Sequence, residues 1–214
     1  MALSKLQYNS INVTPAASKG IRFNSGADGF ETASAGGNLV KISASTASSS
    51  AAISFTSGID NTYKEYLFTF HNIHPATDNS NFTFQGNVSG GADYNETITS
   101  TDFQAYHKED GTGGGVAYSG GNDQAQGTGF QVLAQGVGND NDQNASGYLH
   151  LFDPSDTTFV KHFISCFQLN HHQDYGQNEF VTGYFNTTSA IDEIQFKMSS
   201  GNIDSGTITM YGLK

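Results

Sequence analysis

Hydrophobic positions along this chain fall in short alternating runs, separated by polar stretches rich in Gly, Ser, Thr and Asn. The clearest runs are KEYLFTFHNI, NFTFQGNV, GYLHLF, TTFVKHFISCFQL, IDEIQFKM and GTITMYGL. Each has strand length, carries Phe, Tyr, Ile, Val or Thr, and is closed by Gly, Asn, Asp, Ser or Pro. That is the pattern of an all-β sandwich. Between Tyr63 and Ile73, the side chains of Tyr66, Phe68 and Phe70 fall on one side and those of Leu67, Thr69 and His71 on the other. Apolar residues on both sides predict a central strand, with one face against a second sheet and the other partly covered. Pro75 ends that strand, because proline donates nothing to a ladder. Phe82 and Phe84 restart the alternation, and strong pattern returns at 148–152, 158–169, 179–186, 191–198 and 207–213.

Residues 93–147 are less regular. DYNETITSTDFQAYHKED reads as a strand or a short helix, GTGGG and SGGN as turns, GFQVLAQG as a short strand and GNDNDQNASG as a polar loop. No segment sustains an i, i+3, i+4 apolar stripe, so helix should be minor. Roughly eight or more strands with long connections predict a jelly-roll-like antiparallel β-sandwich.

Residues 1–37 read differently. Their apolar residues (Leu6, Ile11, Val13, Ile21, Phe23) lack helical period, and alternation is confined to GIRFN. This segment reads as an extended N-terminal arm with one or two short strands, ending in a hinge at Gly36 and Gly37. An arm of this kind buries too little to fold alone and is expected to order against a partner or a symmetry mate. Residues 38–214 are expected to form the sandwich domain.

Composition narrows the partners. A net charge of −11, with nine Lys plus Arg scattered singly, leaves no basic stripe for nucleic acid and disfavours an anionic membrane surface. No run approaches the roughly 18 apolar residues of a membrane span, so no membrane insertion is expected. The opening MALSKLQYNSINVTP has no apolar core of a secretory signal. The sequons at Asn12, Asn81, Asn87, Asn95, Asn144 and Asn186 are therefore expected to stay unmodified. The single cysteine, Cys166, sits within an apolar strand and reads as a small buried hydrophobe rather than a nucleophile.

Candidate chemistry is sparse. Asp140, Asp142 and Asn144 alternate on one loop, as hard ligands for Ca²⁺ would. The glycine and glutamate that complete an EF-hand loop are replaced by Ala145 and Leu151, so a solvated turn is the expected reading. His71, His74, His107, His150, His162, His171 and His172 show no zinc-binding spacing and read as structural. No nucleophile motif or phosphate-cradling loop is present. No catalytic, cofactor-binding or metal-ligating residue is assigned, no cofactor is expected, and the chain is not expected to be an enzyme. Tyr94, Tyr106, Tyr118 and Tyr175 lie near loops rich in Asn, Asp and Gln. They serve either as loop anchors, the favoured reading, or as stacking platforms for sugars.

Three blocks carry a resemblance: MALSKLQYNSINV, AAISFTSGIDNTYKEYLFTFHNIHPATDNSNFTFQGNVSGGADYN and SAIDEIQFKMSSGNIDSGTITMYGLK. They resemble virion proteins of marine tailed bacteriophages, cyanophages especially; the first is similar to the attachment stretches of fibre-type proteins. The resemblance implies a tail fibre or tail-associated virion protein, assembled in the bacterial cytoplasm. It would dock onto other virion proteins through residues 1–37 and expose its sandwich, which would bind host glycan. It also implies a homotrimer. A capsid decoration or cement protein is the alternative it leaves, and a glycan depolymerase the second.

Overall fold

The computed structural model describes residues 19–23, 25–26, 28–34 and 37–214. Residues 1–18 of the arm, which include the attachment stretch 1–13, and the hinge residue Gly36 lie outside these. Two compact units divide after Val40. In the first, β1 (Lys19–Phe23) and β2 (Phe30–Ser34) pair antiparallel, from Lys19 opposite Ser34 to Phe23 opposite Phe30. Alternation in GIRFN thus marks a real strand. Across the pair, Phe23 stacks on Phe30 with ring centroids 4.9 Å apart, and Arg22 Nε donates to Glu31 Oε1 at 2.8 Å. The described part of the arm is a hairpin rather than a simple extended chain.

The second unit is all β. Its strands are β3 (Leu39–Ser50, in this unit from Lys41 on), β4 (Ile53–Phe55), β5 (Glu65–Pro75), β6 (Ser80–Val88), β7 (Ile98–Lys108), β8 (Gly114–Tyr118), β9 (Ala125–Gly127), β10 (Gln131–Val137), β11 (Ala145–Phe152), β12 (Lys161–His171), β13 (Tyr175–Phe185), β14 (Ile191–Met198) and β15 (Ile203–Leu213). Eight strands make the two layers of a jelly roll, in the orders β3-β15-β5-β11 and β4-β14-β6-β10. The other strands are insertions. β12 and β13 continue the first layer past β11, β7 follows β13, and β8 and β9 pair with β7. A single pairing of Val137 with His171 links β10 to β12 and joins the layers on that side. Among the described residues there is no helix, and the stretch left open between strand and helix is β7.

Phenylalanine sets the layering. Phe68 and Phe70 on β5, with Phe163 and Phe167 on β12, face Phe82 and Phe84 on β6 and Phe196 on β14, all essentially inaccessible to water. Phe70 lies 4.9 Å from Phe167, 5.0 Å from Phe196 and 5.5 Å from Phe82. Burying each such ring stabilises the fold by about 1.5–3 kcal/mol. Space for them comes from glycine: a Cβ on Gly147 would stand 2.7 Å from the Phe167 ring, and one on Gly183 would stand 2.7 Å from the Phe163 ring. Beyond Phe70 the alternation of β5 slips by one residue. Asn72 adopts φ +53°, the register with β15 shifts there, and Ile73 returns to the core.

The reading of Cys166 is corrected. Strand alternation turns it away from the Phe core, and it lies half-buried on the opposite face, where its Sγ accepts from Asn178 Nδ2 at 3.2 Å.

Candidate functional site

The inserted strands, together with the adjoining β11, present faces of unusual composition. On the outward face, the register lines up Tyr148 (β11), Cys166 (β12), Phe180 (β13), Phe103 (β7) and Tyr118 (β8) as direct cross-strand neighbours. Phe103 and Phe180 lie 5.3 Å apart and tilted, yet Phe103 remains 46% exposed and Tyr118 59%. Parallel to this row, Ile164, Thr182 and Thr101 stand side by side, and the two threonine hydroxyls are 2.9 Å apart. His162, Tyr184 and Thr99 form the next row. Between these last two rows lies a shallow groove of about 520 Å³ walled by His162, Ile164, Thr182 and Tyr184. Along β11, His150 lies between Tyr148 and Phe152, and its Nδ1 is held by the Glu65 carboxylate.

Exposed flat rings beside hydroxyls and amides are what stacking on a sugar face and bonding its hydroxyls demand. They are also a poor choice for a surface that meets only water.

On β7 and the adjoining half of β13 the inward face is polar. Along β7, Ser100, Asp102 and Gln104 point inward; along β13, Gln177 and Glu179 do so. Asp102 and Glu179 are both wholly inaccessible to water. Glu179 Oε2 accepts from the Gln135 backbone N–H at 2.5 Å and from Gln177 Nε2 at 3.3 Å, and Oε1 accepts from Asn122 Nδ2 at 3.3 Å. Asp102 lies against Glu179 and Asn122, but neither of its carboxylate oxygens completes a hydrogen bond of ordinary geometry. Burial pushes the Asp102 carboxyl up to about 8, with the neighbouring Glu179 charge adding to the rise, and burial raises Glu179 as well. The segment 119–124 packs over this pair, fixed by Ser119 N–H to the Asp102 carbonyl at 2.9 Å and by Asn122 Nδ2 to Gln135 Oε1 at 2.8 Å. A carboxylate pair must reach its substrate to do acid–base work, and this one faces the interior rather than the groove.

The four tyrosines singled out from sequence do not form one surface. Tyr118 belongs to the outward row. Tyr106 and Tyr175 lie 5.3 Å apart near the far end of β7, and Tyr94 lies elsewhere, donating to Glu193 Oε2 at 2.9 Å. The Asp140, Asp142 and Asn144 loop is a turn closed by the Gln143 N–H on the Asp140 carbonyl at 2.9 Å, with the Gln143 side chain folded back onto the Asp140 N–H. Among the described residues no group of three or more His, Cys, Asp or Glu is arranged to hold a metal ion. His171 is buried and stacks on Tyr175 at 4.0 Å; burial and its neighbour His172 lower it to about 4. Asp102, Glu179, Phe103 and Phe180 escaped sequence reading. The available signal was inverted alternation in TSTDFQAY, where polar residues hold the inward positions and Phe103 the outward one.

No known protein family matches this chain, and no curated protein or solved structure is detectably similar to it.

Proposed function

We infer that this chain is a non-enzymatic structural component of a tailed-phage particle, a tail fibre or tail-associated protein. It docks through residues 1–37 and presents the jelly roll outward, with the aromatic face of the inserted strands binding host glycan. The observation that carries the binding role is the cross-strand row that runs from Tyr148 through Cys166, Phe180 and Phe103 to Tyr118, in which Tyr148, Phe103 and Tyr118 are exposed and Phe180 half-buried. The virion assignment rests on the resemblance of the three sequence blocks. A homotrimer is the assembly this reading expects, since closed symmetry hides strand edges such as β4.

A glycan array probed with the full chain tests the binding role. Binding is expected, and Phe103→Ala combined with Tyr118→Ala should abolish it while the chain stays folded, with only a small change in Tm. A blank array removes the glycan role and leaves scaffolding. Deleting residues 1–37 tests the docking role: the remainder should fold yet fail to join particles, and normal incorporation would overturn the anchor assignment.

A further inference from the structure

The corner beneath segment 119–124 concentrates oxygen atoms that lack hydrogen-bond donors. Among the described residues, the buried side-chain atoms without a hydrogen-bond partner include Asp102 Oδ1, Asp102 Oδ2, Gln104 Oε1 and Ser119 Oγ. These atoms belong to adjoining residues. Gln104 follows Asp102 on the same face of β7 and stands directly across from Glu179, and the Ser119 N–H is bonded to the Asp102 carbonyl. Buried polar atoms are nearly always satisfied, so a local cluster of orphans marks a missing partner. That partner must offset negative charge. The other acid acting on Asp102 is Asp123, and no Lys or Arg is among the groups that shift either carboxyl.

We propose that Asp102, Glu179, Gln104 and Ser119 hold one Ca²⁺ ion, locking segment 119–124 onto the inserted strands. The donor set is all hard oxygen, with two carboxylates supplying the countercharge and an amide carbonyl and a hydroxyl completing it. Ca²⁺ accepts six to eight such ligands in irregular arrangements, whereas Mg²⁺ demands a near-ideal octahedron and gives up its waters reluctantly. This site is independent of the virion reading and of the outward aromatic face.

Calorimetry on the full chain, stripped with chelator at pH 8 and titrated with CaCl₂, tests the proposal. One ion per chain and a raised Tm are expected. Asp102→Asn, which keeps the side-chain shape, should weaken binding about tenfold or more. Asp142→Asn, in the exposed loop, should leave it unchanged. Absence of any heat or Tm shift with the wild-type chain overturns the proposal and leaves a shared proton between the carboxyls. So does binding that survives Asp102→Asn and is lost in Asp142→Asn, which would move the ion to the loop.

Discussion

The eight strands of the jelly roll, with the inserted β12 beside them, and the outer inserted strands, β7 and the adjoining half of β13, obey opposite rules. Between the two layers the inward positions are filled by Phe68, Phe70, Phe82, Phe84 and Phe196, while outward positions such as Thr69 on β5 carry hydroxyls. In β7 and the neighbouring half of β13 the inward positions hold Asp102, Gln104, Gln177 and Glu179, and the outward ones Phe103 and Phe180. The first arrangement is what folding requires: apolar area leaves water and the strands close around it. The second serves folding poorly, because it buries carboxylates and leaves rings in solvent. Strands that violate the rule on both faces are where function is to be sought.

Substitutions sharpen that contrast, and the largest effect belongs to the core. Phe70→Ala removes a ring in contact with Phe82, Phe167 and Phe196 and should cost about 3–5 kcal/mol in denaturant unfolding. Gly183→Ala comes next. Its Cβ would stand 2.6 Å from the Thr99 carbonyl and 2.7 Å from the Phe163 ring, so strain of about 1–3 kcal/mol is expected, read as a lower midpoint. Phe103→Ala, on the outward face, should change stability by no more than about 1 kcal/mol; a cost equal to that of Phe70→Ala would erase the distinction between the regions.

Acidity probes the inverted region without mutation. In protein stripped of divalent ions, Asp102 titrates near 3.8 when unfolded and near 8 when folded. The native state then carries the extra proton between those values, and stability falls as pH rises through the window. His171 runs the other way. Its value drops from 6.5 to about 4 on folding, so the unfolded chain binds the extra proton and stability falls as pH drops through that window. From these two groups, the slopes oppose one another at pH 4–6.5, and the carboxyl acts alone from 6.5 to 8. Urea midpoints should therefore decline between pH 6.5 and 8 in the wild type and stay level in Asp102→Asn. A wild-type midpoint that is flat or rising there would mean that the pair is not held protonated.

Much of the sandwich was legible because its residues repeat a local rule. In KEYLFTFHNI every second residue from Tyr66 to Phe70 is a large ring, and a period of two states both the strand and its buried side. The inserted strands were harder to read for a physical reason. GGVAY in β8 is exposed throughout and AQG in β9 nearly so, so no alternation records them. The polar inward face of β7 defeats the assumption that hydrophobic means buried. Cys166 was misplaced by the same route: a run that is apolar on both sides does not say which side is the core.

Sequence alone thus determined that the chain is all β, that rings such as Tyr66, Phe68 and Phe70 share one side of a strand, and that helix is minor, since backbone period and side-chain volume are written residue by residue. Only the tertiary structure decided which strands lie side by side. It placed Tyr148, Phe180, Phe103 and Tyr118 in one row, although they are far apart in the chain, and closed Asp102 against Glu179 beneath a loop. Strand order and register depend on how the sheets fill space together, and no local stretch of sequence carries that information.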